Sequence, residues 1–231
     1  MKKALKLPFQ FDADQMLQEL QSISNTFQPI ENKYTGDSLS GTHLIVPSRN
    51  GEANNQGETF SFTQELKECS YLQEVLNTFQ CDKFTFRVQN LRSGGMIKKH
   101  KDGDKGLRHR WIRLNIPVKT NEQVFTYYGG ERILMKNGEC WLPNVIEEHW
   151  MENRSEETRW LLLMDCDLND WWKEILNTCG LNLESVSKYQ YQSLEELENI
   201  KTGFLAHGFA LESEWIQEVD FELERRGFKK K

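Results

Sequence analysis

His100-Lys101-Asp102 places an imidazole and a carboxylate two residues apart at the end of a segment expected to be extended. In a strand, residues i and i+2 project to the same side, so the two groups converge. A third ligand from a neighbouring strand would complete a facial set of two histidines and one carboxylate. His149, 49 residues further on, is the natural candidate. Such a set leaves three adjacent coordination positions open, which suits Fe(II) that must hold a cosubstrate and O₂ together. Alone, the triplet is weak, because short motifs of this kind recur by chance and His100 also reads as a surface residue beside Lys99 and Lys101. Arg159 follows His149 by ten residues, beyond the polar turn 153–157, and is expected on the next strand, facing the same cavity. A buried guanidinium there would grip the carboxylate of an organic acid cosubstrate bidentately. The alternative is a structural ion pair with Glu131 or Glu139.

These residues sit in a stretch of short alternating segments. Residues 84–91, 96–102, 110–118, 123–128, 131–135, 140–142, a segment around His149 and Trp150, and 159–165 read as strands. Gly129-Gly130 marks a tight hairpin, and Lys136-Asn137-Gly138-Glu139 reads as a second one. Before this core, residues 1–30 read as helix, with Asp12 or Asp14 as N-cap and Met16, Leu17, Leu20 and Ile23 at helical spacing. Residues 28–57 read as polar loop with one short strand at 43–46. A helix is expected over 63–79, capped by Thr63. Helices over 170–176, 193–200 and 211–224 close the chain, with Glu195, Glu196 and Glu198 on a solvated face and a frayed tail at 228–231. Short strands at hairpin spacing predict a sandwich or barrel-like β fold rather than a parallel sheet.

Composition bounds the partners. Twenty-nine Lys+Arg against 35 Asp+Glu give a net charge of −6, which argues against a phosphate-backbone binder. A length of 231 residues allows one large domain, or one with a short appendage. The longest apolar run, 160–164, falls far short of the roughly 20 residues of a membrane span, and no apolar segment follows the N-terminal lysines. Five cysteines without a CxxC read as reduced thiols, hence a cytoplasmic protein. The average conceals a cationic segment: Lys98, Lys99, Lys101, Lys105, Arg108, Arg110 and Arg113 face only Asp102 and Asp104. That excess could draw in carboxylates, or could be a solvated loop. His109 reads as exposed or as a substrate contact. Trp111 and Trp141 read as core or pocket wall, and Cys140 and Cys166 as small core residues. His43 and His207 carry no pattern.

His100-x-Asp102, Arg113 to Asn121, Gly138-Glu139-x-Trp141, His149 with Asn153, then Arg159 and Asp165 form an ordered series. It resembles the aspartyl/asparaginyl β-hydroxylase family of Fe(II)/2-oxoglutarate oxygenases, most closely the bacterial proline hydroxylase-like branch, over about residues 84–167. The resemblance implies a double-stranded β-helix (jelly-roll, cupin-like) core with flanking helices. It implies His100, Asp102 and His149 as catalytic iron ligands and Arg159 as the group binding the distal carboxylate of 2-oxoglutarate. Arg113 would face the cosubstrate or the substrate. Asn115 stands where many members carry His, so contacts there would differ. The intact HxD favours the small-molecule branch, because the animal peptidyl branch lacks that carboxylate.

The expected domain layout is an oxygenase domain over 1–168 and a helical extension over 169–231, which caps the barrel or forms a homodimer contact. The expected activity is hydroxylation of an unactivated C–H bond of a free amino acid, proline-like or other, with 2-oxoglutarate and O₂ converted to succinate and CO₂. A peptidyl Asp or Asn hydroxylase is the alternative within the class, and a non-catalytic cupin-like binding module the alternative outside it. No nucleic acid or membrane partner is expected. Substrate contacts are expected from the loops 48–57 and 103–110.

Overall fold

Alternating apolar residues in the middle of the chain form two sheets that enclose a cavity. A computed structural model of the chain describes residues 3–31, 33–49, 52–53, 59–102, 106–107, 110–183, 189 and 192–228. In chain order the elements are β1 (Ala4–Gln10), α1 (Ala13–Ser22), β2 (Gln28–Pro29), β3 (Leu39–Arg49), β4 (Glu52–Ala53), β5 (Thr59–Phe62), α2 (Gln64–Lys67), α3 (Ser70–Asn77), β6 (Lys83–Leu91) and β7 (Met96–His100). They continue with β8 (Trp111–Lys119), β9 (Val124–Tyr128), β10 (Glu131–Ile133), β11 (Glu139–Pro143), β12 (His149–Asn153), β13 (Arg159–Asp167), α4 (Asp170–Thr178), α5 (Leu194–Ala206) and α6 (Glu214–Arg225).

The larger sheet runs β1-β11-β8-β13-β6-β3-β2, with β4 and β5 also on β3, and the smaller runs β10-β9-β12-β7. The chain changes sheet between β6 and β7, β7 and β8, β8 and β9, β10 and β11, β11 and β12, and β12 and β13. That winding is a double-stranded β-helix, the expected mainly β fold with flanking helices. β8 and β13 lie in the middle of the larger sheet and are buried along nearly their whole length, as strands covered on both faces must be. β9 alternates buried and half-buried positions. The β9–β10 hairpin turns at Gly129 and Gly130, with φ of 55° and 82°, the left-handed pair that a tight two-residue turn requires.

Several elements differ from the sequence expectation. Residues 4–10 form a strand rather than helix, pairing with β11 through Leu5↔Leu142 and Lys6↔Trp141. Pro8 is tolerated because β1 is an edge strand whose register shifts between Lys6 and Gln10. Helix α1 begins only at Ala13, where Asp12 caps the backbone N–H groups of Asp14 and Gln15, each at 3.0 Å. The short strand expected at 43–46 is the centre of the 11-residue β3. Gly41 permits it: a Cβ there would lie 2.0 Å from the Val88 carbonyl oxygen on β6. The single helix expected over 63–79 is two, because the Glu19 carboxylate accepts from the Tyr71 and Leu72 N–H groups, both at 2.9 Å. That carboxylate starts α3 where its own N-cap residue, Cys69, provides no side-chain bond. The turn at 136–139 is no hairpin, since β10 and β11 belong to different sheets.

Contacts group residues 1–106 and 110–181 into one unit and residues 107–109 and 182–231 into a second. In the first, Phe9 of β1, Phe79 after α3, and Trp171 and Trp172 of α4 form an aromatic cluster with ring centroids 4.8–6.5 Å apart. Helix α4 therefore packs on the β core. In the second unit, α5 starts at a Ser193–Glu196 capping box and shares with α6 a small core of Tyr189, Leu197 and Val219. Glu195, Glu196 and Glu198 are exposed. Residues 229–231, most of 50–58 and most of 103–109 lie outside the described residues, so the tail, His109 and much of both expected substrate loops do too.

Candidate active site and metal centre

Antiparallel register brings the chemistry-bearing residues to one place. In the smaller sheet His149 pairs with His100 on one side and Tyr128 on the other. Asp102 follows β7, held by its N–H to the Val145 carbonyl at 2.9 Å. The donor atoms of His100, Asp102 and His149 all lie within 4.8 Å of one another. Each imidazole is oriented from behind: His100 Nδ1 lies 2.8 Å from the Lys98 carbonyl oxygen and His149 Nδ1 2.9 Å from that of Glu147. Nδ1 then carries the proton and donates to the carbonyl, so both Nε2 atoms are left as acceptors aimed at the centre. Burial, together with His100, keeps the His149 imidazole below its usual pKa although the Glu147 bond opposes this. Neutral imidazole is the form that binds a metal. His100 stacks on Tyr34 at 4.6 Å and lies 4.1 Å from the His149 ring.

The larger sheet contributes a ladder of cavity-facing residues. Arg159 sits opposite Leu91, Leu161 opposite Gln89, and Leu163 between Arg87 and Asn115. Asp165 sits between Thr85 and Arg113. Arg113 donates from Nε to Asp165 Oδ1 at 2.6 Å and from Nη2 to Oδ2 at 2.7 Å. Its Nη1 bonds Oδ2 of Asp102. Oδ2 being occupied, Oδ1 of Asp102, which lies 3.9 Å from His100 Nε2, is the oxygen open to a metal. Burial pushes the Asp165 carboxyl up, but Arg113 more than reverses this and holds it below the ordinary carboxylate range.

Arg159 is 3% exposed, and among the described residues its guanidinium makes no hydrogen bond or ion pair. Neither Glu131 nor Glu139 reaches it; Glu139 pairs with Lys6 at 2.6 Å. Burial lowers the Arg159 pKa to about 10, only partly opposed by Tyr128. An unpaired buried cation of this kind is costly, and an anionic ligand would relieve it. Tyr128 is buried, its phenol pushed up to about 12 by desolvation. Its hydroxyl accepts from Asn115 Nδ2 at 2.9 Å, while Asn115 Oδ1 is buried without a partner. Turning that amide over would let Tyr128 donate to Oδ1 and aim Nδ2 at a bound anion.

His100, Asp102, His149, Arg113, Asn115, Tyr128 and Arg159 line a cavity of about 330 Å³, together with Tyr34, His43, Arg87, Gln89 and Trp150, while Asp165 lies behind Arg113. Trp111 and Trp141 do not line it; Trp111 packs on Phe84 at 4.8 Å and Trp141 in the cluster of Tyr128 and Val145. Cys140 and Cys166 are buried core residues, and all five cysteines are free. The cationic segment is only partly described: Lys99 pairs with Glu148 at 3.3 Å and Arg110 with Asp167 at 3.4 Å. His207 is exposed. Neither His43 nor Arg87 is legible as a cavity residue from sequence alone. Both would have been found by continuing the period-2 face of β6 and β3 into the site.

A double-stranded β-helix whose cavity is lined by two histidines and one carboxylate and, from the other sheet, by a buried arginine defines a 2-oxoglutarate- and Fe(II)-dependent oxygenase. The donor set fits Fe(II), and the unpaired Arg159 fits the distal carboxylate of the cosubstrate. Residues 12–168 match the model of the aspartyl/asparaginyl β-hydroxylase family, and the chain belongs to that family. No curated protein matches it. Among solved structures it is similar to a 2OG-Fe(II) oxygenase family oxidoreductase of Burkholderia pseudomallei, with 12% identity over 73% of this chain and 85% of that one and a TM-score of 0.48. It is also similar to a prolyl-4-hydroxylase of Pseudomonas putida, with 10% identity over 72% and 93% and a TM-score of 0.46. Likenesses at that level add nothing to the site's chemistry. No helix among the described residues is long and apolar enough to cross a membrane.

Proposed function

We propose that the protein hydroxylates an unactivated C–H bond of a free amino acid. The observation that carries this is one small cavity holding both the three-donor set and the unpaired Arg159. About 330 Å³ lies at the small end of ligand pockets, room for a cosubstrate and a compact substrate. In this reading Nε2 of His100, Oδ1 of Asp102 and Nε2 of His149 hold Fe(II), and Arg159 grips the distal carboxylate of 2-oxoglutarate. With both bound, the site would supply oxidative decarboxylation of 2-oxoglutarate by O₂, one oxygen atom ending in succinate beside released CO₂ and the other in the hydroxylated C–H bond. Asn115 and Tyr128 line the space between the two anchors. Arg113 lines the same cavity and holds Asp102 with its other oxygen turned to the metal. Five free thiols suit a reducing cytoplasm.

Fe(II)-dependent succinate formation from 2-oxoglutarate, with mass spectrometry of amino acid and peptide panels for a product heavier by one oxygen, tests this. His100→Ala and Asp102→Ala should abolish turnover. Activity retained in either would overturn the ligand set, and products only from peptides would move the substrate to a peptidyl residue.

A further inference from the structure

Arg87 is a second cation facing the cavity that the reaction above does not use. It stands on β6 between Leu163 of β13 and His43 of β3. Its Nε is buried and unpartnered, and among the described residues its guanidinium makes no hydrogen bond or ion pair. It lies toward the Arg113–Asp165 pair that holds Asp102 rather than toward Arg159: Leu163, opposite it, is two residues along β13 from Asp165. From Arg159 the same Leu163 is four residues away along β13, about 13 Å of strand at roughly 3.3 Å per residue. A five-carbon diacid measures only about 5 Å between its end carbons, from C–C bonds of about 1.5 Å.

Charge matching isolates the same residue. Arg113 is paired with Asp165 and Asp102. A divalent ion on Asp102 then leaves a single positive charge, which the keto-acid end of 2-oxoglutarate neutralises. Arg159 takes the other carboxylate. Arg87 remains, mostly buried and unmatched, and Asp102 is the only carboxylate residue lining the cavity among those described. A cation in that setting calls for an anion from outside the protein.

We propose that Arg87 binds a carboxylate of the substrate and so sets which substrates are accepted. The proposal rests on the oxygenase reading above. The carboxylate is the α-carboxylate of a free amino acid or the side-chain carboxylate of a peptidyl aspartate; either would be held beside the metal with a neighbouring carbon presented to it. His43, next to Arg87 in register, also lines the cavity, and burial together with the Arg87 charge lowers its pKa.

The test compares free amino acids with their carboxamides, and an N-acetylated, C-amidated aspartyl peptide with its asparaginyl counterpart. Wild type should turn over at least one carboxylate member and reject its amide partner. Arg87→Gln should weaken binding of the accepted acid about 10- to 100-fold, the effect of losing a charged hydrogen-bonded pair. Its affinity for 2-oxoglutarate, titrated anaerobically with Mn(II) in place of iron, should change less than twofold. Arg87→Lys, which keeps the charge without the fork, should fall between, and covers the case in which the Gln variant does not fold. Equal use of acid and amide, an unchanged substrate affinity in the variants, or a loss confined to 2-oxoglutarate would each overturn the proposal while leaving the oxygenase intact. No succinate from wild type under any condition would instead overturn the function on which it rests.

Discussion

Asp165 never touches the proposed metal, yet replacing it should loosen the metal. Its carboxylate takes two bonds from Arg113, at 2.6 and 2.7 Å, and is 1% exposed. In Asp165→Asn the guanidinium keeps its charge but loses its buried counter-ion, leaving Asp102 as its remaining anionic partner. Breaking a buried pair costs roughly 3–5 kcal/mol, and Asn, which retains one acceptor, should lie near 3. For a chain of this size that lowers Tm by about 6–12 °C. The second effect is the diagnostic one. Arg113 now draws on Asp102 alone, so the oxygen offered to the metal becomes less basic and less well aimed, and metal affinity should fall about 10- to 100-fold. Anaerobic titration with Co(II), read by its visible absorption, measures this on the folded variant below its Tm. The pH dependence has a definite sign. Because the folded-state pKa of Asp165 is depressed, the pair's stabilisation is complete above the unfolded value of about 3.9 and disappears as pH falls through the folded value. The gap in stability between wild type and Asp165→Asn should therefore close below about pH 4. A lowered Tm with unchanged Co(II) affinity would refute the idea that the pair positions Asp102.

Two further outcomes are expected. Arg159→Gln should raise the 2-oxoglutarate requirement about 10- to 100-fold with little change in Co(II) affinity; an unaltered requirement would place the distal carboxylate elsewhere. Asn153→Ala should cost on the order of 3 kcal/mol, measured by urea unfolding. Its Nδ2 serves the carbonyls of Leu91, Arg92 and Glu157, and its Oδ1 accepts from the N–H and hydroxyl of Ser155; a loss under 1 kcal/mol would mean that water replaces the amide.

What could be read from the sequence was local. The His100-x-Asp102 spacing, the Gly129-Gly130 turn and the alternation of β6, β8, β9 and β13 are properties of neighbouring residues, and each is visible in a short window. What could not be read depended on distant partners. β1 alternates Leu5, Leu7 and Phe9, but its place as a strand comes from β11, more than 130 residues away. β3 looks like loop because Gly41 and Pro47 weaken its propensity, and its partners β2, β5 and β6 override that. Arg113 reads in the sequence as facing the cosubstrate or the substrate; its ion pairs with Asp165, opposite it in register, and with Asp102 come from residues far along the chain or in a loop. Arg87 lies on the alternate face of β6, and what that face meets is set by the cavity between the sheets.

The union of β1 with β11 also bears on how the molecule assembles. Among the described residues β1 finds its partner in residues 139–143, and β6, which pairs with β3, gains its second neighbour only with β13. Most sheet contacts thus span long sequence separations, a high contact order that makes folding slow. β11 is made well after β1, so the apolar Leu5, Leu7 and Phe9 of β1 lack that partner until then. The donor set is closed by β12 and Arg159 is placed by β13, so a metal-binding centre is among the last features to form. A metal ion should consequently stabilise the finished molecule without hastening the rate-limiting collapse.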